Sequence, residues 1–425
     1  MSVSPPTRAT VEKFRLWLFL LMLGGVAGGL VFSPPMLSVG LIGITVLGLL
    51  DPLAGVNPRW RAAVGGWLRH PVFWGIFLLA VILLLGVWQT EDWAYYRERL
   101  RVKSVLLWLP LAWCGLPELT DRLRGRVYAV FAVFMLLVLA GALVNYAFHF
   151  SEINDRISRG QPLPVPRNHI RFSLLVALAM LLSVGAFSLR AFGRRRTWLV
   201  VAGLLFAGLH VLAVRSGLAG AYLGAGAQVL AYGYRQGRYG VALAALVGLA
   251  ALPVVAYVAV PSFRTKIQYA RYELFHRNPA EDTGDYSDAG RLTSIRIGLS
   301  LFRENPVFGV GPGNLLRATD ERYAELLPGI QGKRPHNQFV SILAGSGLVG
   351  GILALMAFGL LLVYGLRRRF PVYLSVWVVL TASCMVENTL ENSAGVSLFC
   401  VFLLLTARYS SSLPQRITAR STGFM

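Results

Sequence analysis

His336 stands in the run Arg334-Pro335-His336-Asn337-Gln338-Phe339, where a long polar segment gives way to a strongly apolar one. An imidazole at that boundary sits at a membrane surface and suits a general base acting on an acceptor hydroxyl, with Asn337 beside it as a substrate contact. A hydrogen-bonding loop histidine is the competing reading. Arg215, Arg264, Arg291 and Arg296 fall on the same side of the chain in the topology derived below. A guanidinium stays ionised and can grip two phosphate oxygens at once, so these residues suit a phosphate or diphosphate group. Arg215 follows Leu212-Ala213-Val214 and precedes Ser216-Gly217-Leu218, nearly embedded between two apolar runs where an unpaired charge is costly. An interfacial snorkelling anchor competes with that reading. Arg291 opens a stretch in which Arg291, Ser294, Ile295 and Gly298 share one helix face, and a helix N-terminus favours anions. Here the bland reading is a solvated surface arginine. Glu387 and Glu391, at the end of a later apolar run, are both candidates to orient His336 or an acceptor, and Glu387 is carried as the binding candidate. His149, His169 and His276 complete the histidines of that side.

Weaker signals lead elsewhere. Asp282, Asp285 and Asp288 resemble a cation-binding series, but their spacing departs from a calcium loop and favours a solvated linker. Gly309-Val310-Gly311-Pro312-Gly313 looks like a phosphate-loop fragment, yet no strand and helix flank it and no lysine follows, which favours a turn. Cys114, Cys384 and Cys400 fall inside apolar runs and read as packing residues, with neither a disulfide framework nor zinc spacing. No metal or cofactor is expected.

The elements that must position these groups are membrane spans. Hydrophobic residues make up 55% of the chain and mean hydropathy is +0.58, too apolar for a soluble protein. Bilayer length predicts about twelve spans, near 16–32, 36–54, 71–89, 104–119, 127–148, 170–189, 197–214, 218–233, 239–260, 338–364, 371–387 and 394–407. The fold class is an all-α polytopic membrane protein. The formal charge of +21 comes from arginine clusters between apolar runs, the pattern of orientation by positive loops rather than of nucleic-acid binding. Clusters such as Arg194/Arg195/Arg196 and Arg367/Arg368/Arg369 then share the cytoplasmic side with both termini, and the first run reads as a retained signal anchor. Residues 1–260 hold spans one to nine, 261–337 form one large outer loop, and 338–425 hold spans ten to twelve with a cytoplasmic tail. The loop is expected to lie as amphipathic helices near 264–277, 290–304 and 314–327 against the outer face. Glycine groups such as Gly217/Gly220/Gly224 and Gly345/Gly347/Gly350/Gly351 are expected to serve close helix packing. A site on the outer face works without ATP, so group transfer there needs a preactivated donor. A lipid-linked sugar diphosphate is such a donor, and it leaves readily once its charge is stabilised.

The segment from Gly290-Arg291-Leu292 through Glu304-Asn305-Pro306-Val307-Phe308-Gly309-Val310-Gly311-Pro312-Gly313-Asn314, with Pro335-His336-Asn337-Gln338-Phe339 and Gly345-Ser346-Gly347-Leu348-Val349-Gly350, resembles the shared region of bacterial O-antigen ligases and polymerases. The resemblance covers roughly 210–365 in detail, and the chain looks most like a ligase. It implies a GT-C-like fold and a metal-independent, inverting glycosyltransferase. The implied donor is undecaprenyl-diphosphate-linked O antigen and the implied acceptor lipid A–core, at the periplasmic face of the bacterial inner membrane. It further maps the ligase arginines to Arg215 and Arg291 and the motif histidine to His336, while the late acidic residue matches only loosely. An O-antigen polymerase or a protein O-oligosaccharyltransferase is the near alternative. An anion or glycolipid transporter is the alternative of another class, disfavoured by spans with little ionisable lining and no matched pair of broken helices.

Overall fold

The computed structural model describes residues 8–276, 288–330 and 332–408. Apolar runs with no dominant polar face become helices that are covered on all sides or turned to lipid. The chain accordingly folds as α1 (Arg8–Val31), α2 (Pro34–Leu49), α3 (Pro58–Trp67), α4 (Pro71–Leu85), α5 (Trp93–Lys103), α6 (Val105–Trp113), α7 (Asp121–Phe148), α8 (Phe150–Ser158), α9 (His169–Ser188) and α10 (Thr197–Leu212). It continues as α11 (Arg215–Gln236), α12 (Tyr239–Ala259), α13 (Pro261–His276), α14 (Asp288–Glu304), α15 (Leu315–Leu326), α16 (Gln338–Arg368), α17 (Pro371–Val386) and α18 (Ser393–Thr406). The strand pairing present is a short antiparallel ladder that sets Leu50 against Val56 and Asp51 against Gly55. Proline opens α2, α3, α4, α13 and α17, where its missing N–H costs nothing.

Each expected apolar segment holds a helix, though the lengths differ from expectation. Among the described residues six helices are long and apolar enough to cross a membrane: α1, α4 extended through Gln89, α7, α9, α12 and α16. The shorter apolar helices are α2, α10, α17 and α18. The segment near 104–119 yields only the short α6, with Pro110 inside it, and the mixed-charge stretch before it forms the helix α5. The protein is a multi-pass helical membrane protein. Its centre is α9, buried continuously over 172–183 and packed on α7, α10, α11 and α17. In contrast α12 buries only Ala242 and Ala256, as a lipid-facing rim helix would.

The two ends of the bundle differ. At one end Arg15 and Asp51 form a buried pair at 3.0 Å, and Arg15 also donates to the Leu50 carbonyl at 2.8 Å. Removing one member of such a pair costs about 3–5 kcal/mol, because the other charge is left buried alone. The Arg408–Asp121 pair lies at this end too, so the first and last described segments meet there. At the other end gather α5, α8, α13, α14, α15 and the 387–392 link.

The long loop packs into the helical bundle at its middle. Its helices α13, α14 and α15 coincide with the expected stretches, but 306–310 inserts into a break in α16. Gly347 there is non-helical, at φ 57° and ψ −156°, a conformation essentially reserved for glycine. The backbone groups freed by the break are bonded by the inserted segment: Leu348 N–H donates to Pro306 O at 2.8 Å, Val349 N–H to Val307 O at 3.2 Å, and Val310 N–H to Ala344 O at 2.9 Å. A Cβ on Gly347 would stand 2.3 Å from Val307 O, and one on Gly309 would stand 2.5 Å from the Gly345 carbonyl carbon. The two glycine motifs are thus the two halves of one backbone joint. Irregular backbone at membrane depth survives only where protein satisfies it in this way.

Candidate functional site

His336 is held from several sides. Its backbone N–H donates to Ser294 Oγ at 3.1 Å, and Ser294 itself donates to the Arg291 carbonyl at 2.7 Å. Gly298 lets Pro335 approach α14, since a Cβ there would meet Pro335 Cγ at 2.6 Å. The expected face of Arg291, Ser294 and Gly298 therefore forms, and its partner is the histidine segment. Asn337 Oδ1 accepts from the N–H groups of Phe339 and Val340, capping α16, while its Nδ2 donates to Met385 O at 2.7 Å. The Asn337 amide is thus engaged in the fold on both its oxygen and its nitrogen.

Met385 leads into the 387–392 link, and this brings Glu387 to the histidine. Glu387 Oε2 lies 3.2 Å from His336 Nδ1, and its Oε1 accepts from Arg291 at 3.0 Å. A carboxylate on Nδ1 keeps the proton there and leaves Nε2 as the basic nitrogen. The arrangement is base, orienter and cation in one chain of contacts.

Arg291 also lines a cleft shared with Arg215, Ser216, Lys266, His169 and Gln161. Three helix N-termini supply it: His169 begins α9, Arg215 begins α11, and Arg291 lies in the first turn of α14. The positive ends of helix dipoles add to the side-chain charge and suit an anion. Arg215 is aimed by a two-residue link in which Ala213 adopts the left-handed conformation at φ 51° and Val214 is extended. That conformation is uncommon for a residue other than glycine, and here it ends α10, with the Ala213 N–H donating to Leu209 O at 3.1 Å.

Of the residues singled out from sequence, His336, Glu387, Arg291 and Arg215 are brought together. Arg264 and Arg296 are exposed and do not line the cleft. His149 sits at the α7–α8 junction, its ring nitrogen 3.1 Å from Asn145 O. Asp282 and Asp285, with the side chains of Asp288 and His276, lie outside the described residues. Sequence reasoning missed Lys266, which donates to Gly160 O at 2.6 Å and lies over the Tyr269 ring. Its signal was only its place one turn inside α13.

Glu391, the other late acid, has a different setting. It is buried, accepts from Lys103 at 2.5 Å and from Gln338 Nε2 at 3.0 Å, and has Arg334 at 3.9 Å. Arg99 donates to its backbone carbonyl, and Gln338 Oε1 accepts from Leu390 N–H at 2.8 Å. Burial alone would raise its carboxyl; the Lys103 charge and hydrogen bond, the Gln338 hydrogen bond and the Arg334 charge outweigh it and bring the group down to about 2. Glu391 fastens the link that carries Glu387 onto the start of α16 that carries His336.

Fold and site together define a multi-pass helical membrane protein with a cationic cleft beside an oriented histidine. Residues 200–355 match the family model described as O-antigen ligase, and this match supports a place for the segment in the O-antigen ligase/polymerase superfamily. The matched segment contains Arg215, Arg291, His336 and the joint in α16, while Glu387 and Glu391 lie beyond it. No curated protein matches the chain significantly.

Proposed function

We propose that the protein is an O-antigen ligase of lipopolysaccharide biosynthesis, which transfers O-antigen polysaccharide from undecaprenyl diphosphate to lipid A–core. The observation that carries this reading is Arg291, which lines the cationic cleft and also contacts Glu387, the partner of His336. The diphosphate is held by Arg215 and Arg291. His336 Nε2 removes the proton of the acceptor hydroxyl as its oxygen attacks the anomeric carbon. The bond from that carbon to the diphosphate oxygen breaks, and the electron pair leaves with the lipid diphosphate, whose charge the arginines stabilise. Attack opposite the leaving group inverts the anomeric configuration. With cationic side chains in that role and a preactivated donor, neither a metal ion nor ATP is required.

The same reading assigns twelve spans, a GT-C-like fold and residence in the bacterial inner membrane. Both termini are cytoplasmic and the site end is periplasmic, an orientation supported by the arginine clusters on the opposite end. The test is a purified system supplied with lipid-linked O antigen and lipid A–core, without ATP or metal, comparing wild type and His336→Ala. A ladder of modified lipid A–core from wild type alone is expected. Long free polymer instead would make the protein a polymerase, and an unconsumed donor would return it to transport.

A further inference from the structure

The cationic cleft holds a side chain that the transfer step does not use. Ser216 lies in its wall, beside Arg215 at the start of α11. Its Oγ is enclosed by protein and has no hydrogen-bond partner among the described residues. Serines of the neighbouring helices are satisfied: Ser173 of α9 donates to Ile170 O, Ser262 of α13 to Val211 O and Ser294 of α14 to Arg291 O, each at 2.7 Å. A serine within a helix commonly bonds the carbonyl of the residue three or four places earlier. For Ser216 those residues are Ala213 and Leu212, and the left-handed backbone of Ala213 interrupts the helical ladder there. A buried hydroxyl without a partner is costly and rare enough in folded proteins to need a reason.

The surroundings supply one. Val214, at the cap position of α11, offers no side-chain acceptor to the first turn. Gly217 lets that turn press against α9, since a Cβ there would stand 2.4 Å from Ser173 Cβ. From α14, Arg291 Nε is likewise enclosed without a partner, although Arg291 Nη2 is engaged by Glu387 at 3.0 Å. Two unpaired hydrogen-bond donors, a hydroxyl on one helix and a guanidinium N–H on another, therefore belong to residues that wall the same cleft.

We infer that Ser216 is a substrate-binding residue, its hydroxyl donating to a phosphate oxygen of the lipid-linked diphosphate while Arg291 Nε donates to another. This deepens the reading under Proposed function and rests on it. No bond holds the hydroxyl where it lies, so a turn about Cα–Cβ is free to bring it to a bound oxygen, and the ligand supplies the acceptor that the fold omits. A serine kept only as a small spacer would be replaceable by alanine at no cost to binding.

The test uses the full chain in detergent, with undecaprenyl diphosphate as the probe, and compares wild type with Ser216→Ala. Binding is measured by isothermal titration calorimetry, and the ligand-free proteins are compared by thermal unfolding. Ser216→Ala should bind about tenfold more weakly, the lower end of what a hydrogen bond to a charged group contributes. Its ligand-free Tm should equal or exceed that of wild type, because no hydrogen bond is lost. In steady-state transfer the apparent KM for the glycosyl donor should rise while that for the acceptor is unchanged. Undiminished binding by Ser216→Ala overturns the inference, and so does weaker binding together with a lower ligand-free Tm, which would make the hydroxyl structural. A wild type that binds no undecaprenyl diphosphate would remove the diphosphate reading of the cleft and the inference with it, whereas binding that ignores Ser216 removes the inference alone.

Discussion

Replacing Glu391 by Gln should destabilise the protein at neutral pH and flatten its acid response. The carboxylate is buried against Lys103, and its removal leaves an ammonium in the interior with only a neutral amide to face. Losing one member of a buried pair costs about 3–5 kcal/mol. An independent route gives a similar size. The carboxyl is displaced from 4.5 to about 2 on folding, and at about 1.4 kcal/mol per unit this is about 3 kcal/mol of linkage. Because the folded value is the lower one, that stability is complete above pH 4.5 and drains away as pH falls through 4.5 toward 2. Unfolding of the purified protein in micelles, measured as a denaturant midpoint at pH 7 and between pH 5 and 2.5, tests both statements. Wild type should lose stability across the acid window and Glu391→Gln should lose less, starting from a lower value at pH 7. A Glu391→Gln protein within about 1 kcal/mol of wild type at pH 7, with an unchanged acid limb, would refute the latch, since exposed pairs reach no more than that.

The same reasoning extends to other positions. Glu387→Gln removes the charge that orients His336, and transfer should fall by about 10²–10⁴, the usual span of general acid–base contributions, with folded yield retained on gel filtration. Arg215→Lys keeps a charge but loses the two-pronged grip, so the apparent KM for the lipid-linked donor should rise more than that for the acceptor in steady-state assays. Gly347→Ala would set a Cβ 2.3 Å from Val307 O, and the backbone strain alone costs about 1–3 kcal/mol; a sharp drop in detergent-stable protein is expected on fluorescence size exclusion. Asn337→Ala removes the α16 cap at about 0.5–2 kcal/mol, whereas Asn337→Asp should keep the cap and most of the thermal stability.

Much of the architecture was legible because bilayer crossing imposes long apolar runs, and each expected run holds a helix. The helices of the long loop were readable for a related reason, since their apolar residues recur at helical spacing. Arg215, Arg291 and His336 were legible through residue type and through their places at the ends of helices. The link from Arg291 to Glu387 was not, because 96 residues separate them and their meeting depends on how α14 leans on the start of α16. Lys266 was missed for the same reason: its neighbour Gly160 lies 106 positions earlier. The two late acids could not be told apart by composition or spacing, as both end the same apolar run. Burial separates them, with Glu391 enclosed among cations and Glu387 beside the histidine. The glycine motifs at 309–313 and 345–351 were each legible as points of close approach, but no local pattern says that one closes onto the other.

The joint in α16 bears on how the site is held. Residues 348–368 rise about 31 Å as a helix, enough to cross the hydrocarbon core unaided, while 338–346 contribute only about 14 Å. The later part is therefore a span in its own right, whereas the earlier part, which follows His336, is too short to cross and is held through the hydrogen bonds that 306–310 makes with the break. A change in 306–310 would then reach His336 through the seating of that short half-helix.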